Sequence, residues 1–203
     1  KLLATSRFAQ SDPMGALAAW NRVGEPRLDL VRIDGLTRTR HRVVERLVSV
    51  DRGDVLTESR FRRARRRLSE LPAARTTRLD YVPVPSGLAE LRGAVAERPL
   101  LPTSRVSLAA MGVAAAATRE TRLTIGSLVG GGEQLFASWR FWPRRPYVAV
   151  GVAAPAPWGG VWNVLAFSGR QPFTSPDVPR ADHTGARLGA ADWLTATIRW
   201  NVV

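Results

Sequence analysis

The chain has 203 residues, 45% of them apolar and none of them Cys. That length gives one large domain or two small ones with real cores, and the absence of Cys excludes disulfide frameworks, thiol nucleophiles and thiolate metal sites. The formal charge is +13, but Lys1 is the only lysine, and an excess carried by arginine follows from a GC-rich genome as readily as from a need for phosphate binding.

From the N-terminus, no basic–apolar–small leader follows Lys1, so any targeting segment is expected outside this stretch. Leu17–Trp20 closes a short helix, and Gly24-Glu25-Pro26 reads as a linker, so residues 1–27 are expected to be a linker or the end of a preceding element. Val31 and Ile33 alternate with Arg32 and Asp34 and stop at Gly35, the pattern of a short strand and its turn. Thr37 or Thr39 is placed to cap a helix with apolar positions Val43, Val44, Leu47 and Val48. After Arg52-Gly53-Asp54, Thr57 caps a second helix whose Phe61, Ala64, Leu68 and Leu71 form one stripe. Pro72 ends it. Thr77, Leu79 and Tyr81 then mark a strand, and Leu91 and Val95 another beyond the Pro85-Ser86-Gly87 turn. The order is β-α-α-β-β, small but able to fold alone.

The character changes at Pro99–Pro102. Residues 104–203 read as strands only: Arg105–Thr118, Thr121–Leu128, Gln134–Trp142, Tyr147–Ala154, Val161–Ser168, Gly185–Ala190 and Leu194–Val202. Thr174–Asp182 reads as a loop. The last strand alternates strictly, with Leu194, Ala196, Ile198, Trp200 and Val202 on one side. Six of the seven Trp lie in this half, namely Trp139, Trp142, Trp158, Trp162, Trp193 and Trp200. They gather near strand ends, as aromatic residues do at a membrane–water interface. No run of about eighteen apolar residues exists, so a spanning helix is not expected.

Motifs that would carry chemistry are missing. The Gly130-Gly131-Gly132 run is followed by Glu133 and a strand rather than by Lys-Ser/Thr and a helix, so it is a turn and not a phosphate cradle. His41 and His183 stand alone, without acidic partners at ligand spacing. With no nucleophile elbow or paired carboxylates, the expectation is a protein without catalytic, metal or cofactor sites. The run Arg60–Leu68 places arginine everywhere except on the Phe61/Ala64/Leu68 stripe, which reads as a solvated helix face before it reads as a phosphate-binding one.

Gly35, Gly53, Gly87 and Glu97-Arg98-Pro99, set in the β-α-α-β-β order over Leu28–Pro99, resemble the POTRA domain of the outer-membrane assembly-factor family (BamA- and TamA-like proteins). VGGGEQL is similar to a short turn joining early strands of that family's barrel, and VAAPAPWG to the end of the next strand pair. The family's Val-Arg-Gly-aromatic lid motif and its terminal aromatic signal are absent. Roughly six or seven strands are read here, short of the about eight of the smallest usual barrel.

The resemblance implies an α+β POTRA domain at residues 28–101, followed at 104–203 by an all-β antiparallel, incomplete transmembrane β-barrel. The chain would then be a piece of a larger protein, with the POTRA domain in the periplasm and the barrel in the outer membrane. It also implies an insertion, assembly or translocation function. The partners would be unfolded outer-membrane protein clients, outer-membrane lipid and periplasmic accessory proteins, without nucleic acid. Clients would pair with an edge strand bearing Thr77, Leu79 and Tyr81, within limits set by Pro83 and Pro85. The weakly packing Ala-rich strand at Arg105–Thr118 would be the place where the barrel seam opens. A different class stays open from the residues alone: a soluble, basic nucleic-acid-binding protein with an appended β-sandwich.

Overall fold

The computed structural model describes residues 1–99, 105–143, 145–171 and 181–203. It opens with two helices, α1 (Leu2–Ala9) and α2 (Pro13–Asn21). Asp12 caps α2 by accepting from the Gly15 N–H, and Pro13 occupies its first turn, where a missing N–H costs nothing. The stretch read as a linker is therefore an ordered helical hairpin. Ala4, Ala16, Leu17 and Trp20 are buried in the same core as the elements that follow, and Asn21 fixes the hairpin by donating to the Glu25 and Leu56 carbonyls and accepting from the Glu58 N–H.

The next elements come in the order read from the sequence: β1 (Arg27–Asp34), α3 (His41–Val48), α4 (Glu58–Ser69), β2 (Ala74–Val84) and β3 (Leu88–Glu97). The sheet order is β1-β3-β2, with β1 parallel and β2 antiparallel to the central β3. Both helices lay an apolar stripe on this sheet, Val44, Leu47 and Val48 from α3 and Phe61, Ala64 and Leu68 from α4. Thr57 caps α4 as its position suggested, accepting from the Arg60 N–H. The cap expected for α3 is different: Arg40 holds that position without a side-chain bond, because Thr39 is committed to Glu97 and Ser127. Gly35 (φ +86°) is required where it stands, since a Cβ there would lie 2.2 Å from the Val95 carbonyl oxygen.

Residues 105–118 depart from the strand reading. They form a helix, α5 (Arg105–Thr118). Among the described residues no strand lies outside β4 to pair with them, so the alanines at 109, 110 and 114–117 set the conformation by helix propensity. Val106 and Val113 remain largely exposed on it. The reading of this segment as a barrel's opening strand is thereby withdrawn.

Six antiparallel strands follow in sequence order: β4 (Glu120–Gly126), β5 (Gln134–Arg140), β6 (Tyr147–Pro155), β7 (Val161–Gln171), β8 (Ala181–Trp193) and β9 (Arg199–Val202). The long alternating strand expected over Leu194–Val202 is cut to its last four residues. Leu194 to Ile198 instead form a turn, in which Thr195 Oγ1 accepts from the Thr197 and Ile198 N–H groups. Only part of the loop read at Thr174–Asp182 can be compared, since 172–180 lie outside the described residues and Ala181–Asp182 already belong to β8. The six strands make a single sheet with no second sheet packed on it among the described residues, where the β-sandwich alternative expects two packed sheets.

Candidate functional site

Three features of the fold bear on function: a free strand edge, a two-faced sheet and the junction between them. The edge is β2, which pairs only with β3 among the described residues and so presents unpaired main-chain groups on its other side. Of the side chains singled out on it, Thr77 is half-buried, while Leu79 and Tyr81 are 1% and 3% exposed beneath α4. What β2 offers at Leu79 and Tyr81 is therefore backbone, not side chain. Tyr81 packs edge-on to Phe61 at 5.4 Å and donates its hydroxyl to the Pro13 carbonyl. Burial, with Asp12 nearby, pushes its phenol above the ordinary tyrosine range.

The six-stranded sheet has two chemically distinct faces. Side chains alternate along each strand, and the register Leu123↔Ala137↔Val150↔Ala166↔Ala186 puts those residues on one side. That side carries every exposed large apolar side chain found within the described strands of this sheet: Leu123, Trp139, Val148, Val150, Leu188 and Val202. The other side carries Arg122, Gln134, Ser138, Asn163, His183 and Arg187. It also carries Gly151 and Gly185, each under an aromatic ring of the neighbouring strand; a Cβ would meet Phe136 at 2.3 Å and Phe167 at 2.9 Å. Glycine beneath a cross-strand ring leaves room for the sheet to curve toward its polar side. The first side turns polar toward the Trp139 end, at Ser168, Arg170, Asp182 and Thr184, and an apolar band opposite a more polar side is the alternation a membrane barrel wall requires.

The tryptophans fall at two levels of this sheet. Trp139 and Trp142 lie at one end with Phe141, and the Trp142 indole N–H donates to the Thr118 carbonyl at 2.7 Å. Trp158, Trp162, Trp193 and Trp200 lie toward the other end, where Trp158 is in the β6–β7 turn and Trp193 ends β8. Trp193 differs from the rest in what holds it. Its indole N–H donates to Glu70 at 2.8 Å, and the Arg66 guanidinium lies 4.4 Å above its ring.

That end of the sheet docks on the α+β module through three turns. In the β4–β5 turn, Gly130 and Gly132 accept from the Arg40 and Ala73 N–H groups, and the Thr39 hydroxyl donates to Ser127 in a buried contact of 2.9 Å. The loop carrying Thr39 is itself ordered by Glu97. Burial alone would raise that carboxyl, but hydrogen bonds from the Thr37 hydroxyl and the Arg38 and Thr39 N–H groups outweigh it and hold the pKa at about 2. At the β6–β7 turn, Gly159 (φ +94°) leaves space for the Arg67 guanidinium, 2.9 Å from where a Cβ would sit. At the β8–β9 turn, Arg63 donates to the Leu194 carbonyl, and Glu70 accepts from Arg199 at 2.7 Å.

The centre of the junction is Arg67, which meets Asp192 with two parallel bonds of 2.8 and 2.6 Å, both residues 6% exposed. Arg63, Arg66, Arg67 and Glu70 follow one another at helical spacing, so one side of the arginine helix is a docking face and not a solvated one. Sequence reasoning missed this junction. The only signal was that positions 63, 66, 67 and 70 share a face while their partners lie more than a hundred residues away.

No protein-family model and no curated protein matches the chain. Among solved structures, it is similar to CdiB from Escherichia coli, with TM-score 0.52 and 16% identity over 84% of this chain and 34% of that one. It is also similar to BamA from Haemophilus ducreyi lacking POTRA domains 1–3, with TM-score 0.47 and 13% identity over 81% of this chain and 32% of that one. The chain thus spans about a third of the length of each. The likeness to CdiB is one of fold.

Proposed function

We propose that this chain is part of an outer-membrane protein insertion or translocation factor that acts without covalent chemistry. The observation that carries the proposal is the two-faced sheet, with its exposed large apolar side chains on one side and its glycine-bearing side more polar, and with all three turns at one end seated on a β-α-α-β-β module. The fold shared with part of CdiB supports the same reading. In it, residues 120–202 are a stretch of barrel wall, Trp139 and Trp142 mark one membrane interface, and Trp158, Trp162 and Trp200 approach the other. The module is a POTRA domain on the periplasmic side. Its β2 edge receives extended, unfolded outer-membrane proteins by main-chain pairing, a mode with little demand on client sequence. Lipid of the outer membrane covers the apolar face, and periplasmic accessory proteins complete the machine.

The test is envelope fractionation of the source cells with an antibody raised to Leu28–Pro99, comparing gel mobility before and after boiling. An outer-membrane band well above 22.2 kDa that shifts on boiling is expected, because a closed barrel resists detergent until heated. A soluble band of unchanged mobility overturns the proposal.

A further inference from the structure

We infer that the groove between α4 and the free edge of β2 takes an acidic extended polypeptide, paired with the β2 main chain at Thr76–Leu79 while its carboxylates meet Arg62, Arg65 and Arg66. The inference rests on the proposed client-receiving edge and adds to it a register and a charge preference.

The arginines of α4 divide by what they touch. Arg60 pairs with Asp54, Arg63 donates to the Leu194 carbonyl, and Arg67 is taken by Asp192. Arg62, Arg65 and Arg66 instead line a groove of about 520 Å³ with Ser69, Thr77 and Leu79. No acidic residue lines it. Among the described residues, Arg62 pairs only with Glu58 one turn back, an exposed guanidinium on a half-buried carboxylate; Arg66 lies over the Trp193 ring; and Arg65 has no ion pair. Arg65 thus stands beside the strand edge without a carboxylate of its own among the described residues, flanked by Arg62, whose Glu58 partner is partly solvent-screened, and by Arg66, which holds an aromatic ring and no carboxylate.

The other half of the edge is less accessible. Beside Tyr81 the hairpin contributes Phe8, Ser11, Pro13 and Met14 to the wall, and Pro83 has no N–H to offer a ladder. Main-chain pairing is therefore directed to Thr76–Leu79, the stretch flanked by the arginines. A polypeptide fits this groove better than a nucleic acid does. Of the aromatic rings nearby, Phe61 and Tyr81 are buried and the Trp193 ring is covered by Arg66, so none offers a free stacking platform, whereas unpaired strand groups match another extended backbone. A lipid surface has no apolar contact to make here, since Leu79 is buried.

The experiment uses the full chain in detergent and fluorescent extended peptides of one apolar/polar alternation, with Glu, Gln or Lys at the polar positions. A few exposed ion pairs give an expected preference of about tenfold for the Glu over the Gln peptide at low salt, shrinking as salt is added. The Arg62→Gln/Arg65→Gln double variant is expected to bind the Glu and Gln peptides about equally; circular dichroism checks its fold. Equal binding of Glu and Gln peptides to the parent chain overturns the charge preference while the edge reading stands. A Glu peptide N-methylated along its pairing edge is expected to bind far more weakly. If it binds as well as its parent, the edge reading itself fails. An oligonucleotide that binds more tightly than the Glu peptide, with the same dependence on Arg62 and Arg65, reassigns the groove to nucleic acid and overturns the inference.

Discussion

Arg67 and Asp192 are the residues on which the junction turns, because neither has water to fall back on. A buried ion pair adds little net stability, yet removing one partner strands the other charge. Asp192→Ala is therefore expected to cost about 3–5 kcal/mol in urea unfolding of the chain in detergent, whereas an Arg67→Met/Asp192→Met double variant costs clearly less. Equal losses in the two would mean that the pair acts only through its packing. Glu97 makes a pH prediction. Its folded pKa of about 2 lies below the reference value of 4.5, so its contribution is fully present above the higher value and is lost as pH falls toward the lower. That amounts to about 3 kcal/mol at most, from 1.36 kcal/mol per pKa unit. Glu97→Gln is expected to flatten the fall in stability between about pH 4.5 and 2 measured by denaturant titration. The motif position of Glu97 was legible in the sequence. Its task was not, because Thr37 and Thr39 approach it from about sixty residues away.

At the scale of elements, local rules account for most of what formed. α4 begins at Thr57, carries Glu58 in its first turn and Arg66 and Arg67 in its last, and so agrees with both cap and macrodipole. Thr57→Ala is expected to lower stability by about 1 kcal/mol, read as a shift in denaturation midpoint; no shift would show that packing alone sets the start of α4. β1, α3, β2 and β3 were legible for a related reason: each has one buried face, so its period had to appear in the sequence. α5 and the 194–198 turn were misread because alternation and small residues are ambiguous where no neighbour is present. Alanine-rich sequence goes helical without a pairing strand, and Thr195 offers the backbone a local partner.

For the whole molecule, the two faces of the sheet carry the sharpest prediction. Leu188 lies on the apolar side and is 68% exposed, while Ser138 lies on the polar side. Leu188→Arg is expected to cost about 2–4 kcal/mol near a bilayer midplane, and Ser138→Arg much less. The measurement is the fraction of each variant that stays with the native membrane after urea extraction; equal retention would sink the membrane reading of the apolar face. By itself the sequence determined the periodicities, the change of character near Pro99 and the clustering of Trp residues, because these are properties of neighbours along the chain. The tertiary structure alone decided that the N-terminal hairpin joins the core, that β2 is an edge, and that the arginine helix faces Asp192 and Trp193. Those depend on pairings between residues far apart in sequence, and one helix face looks alike whether water or a second sheet lies against it.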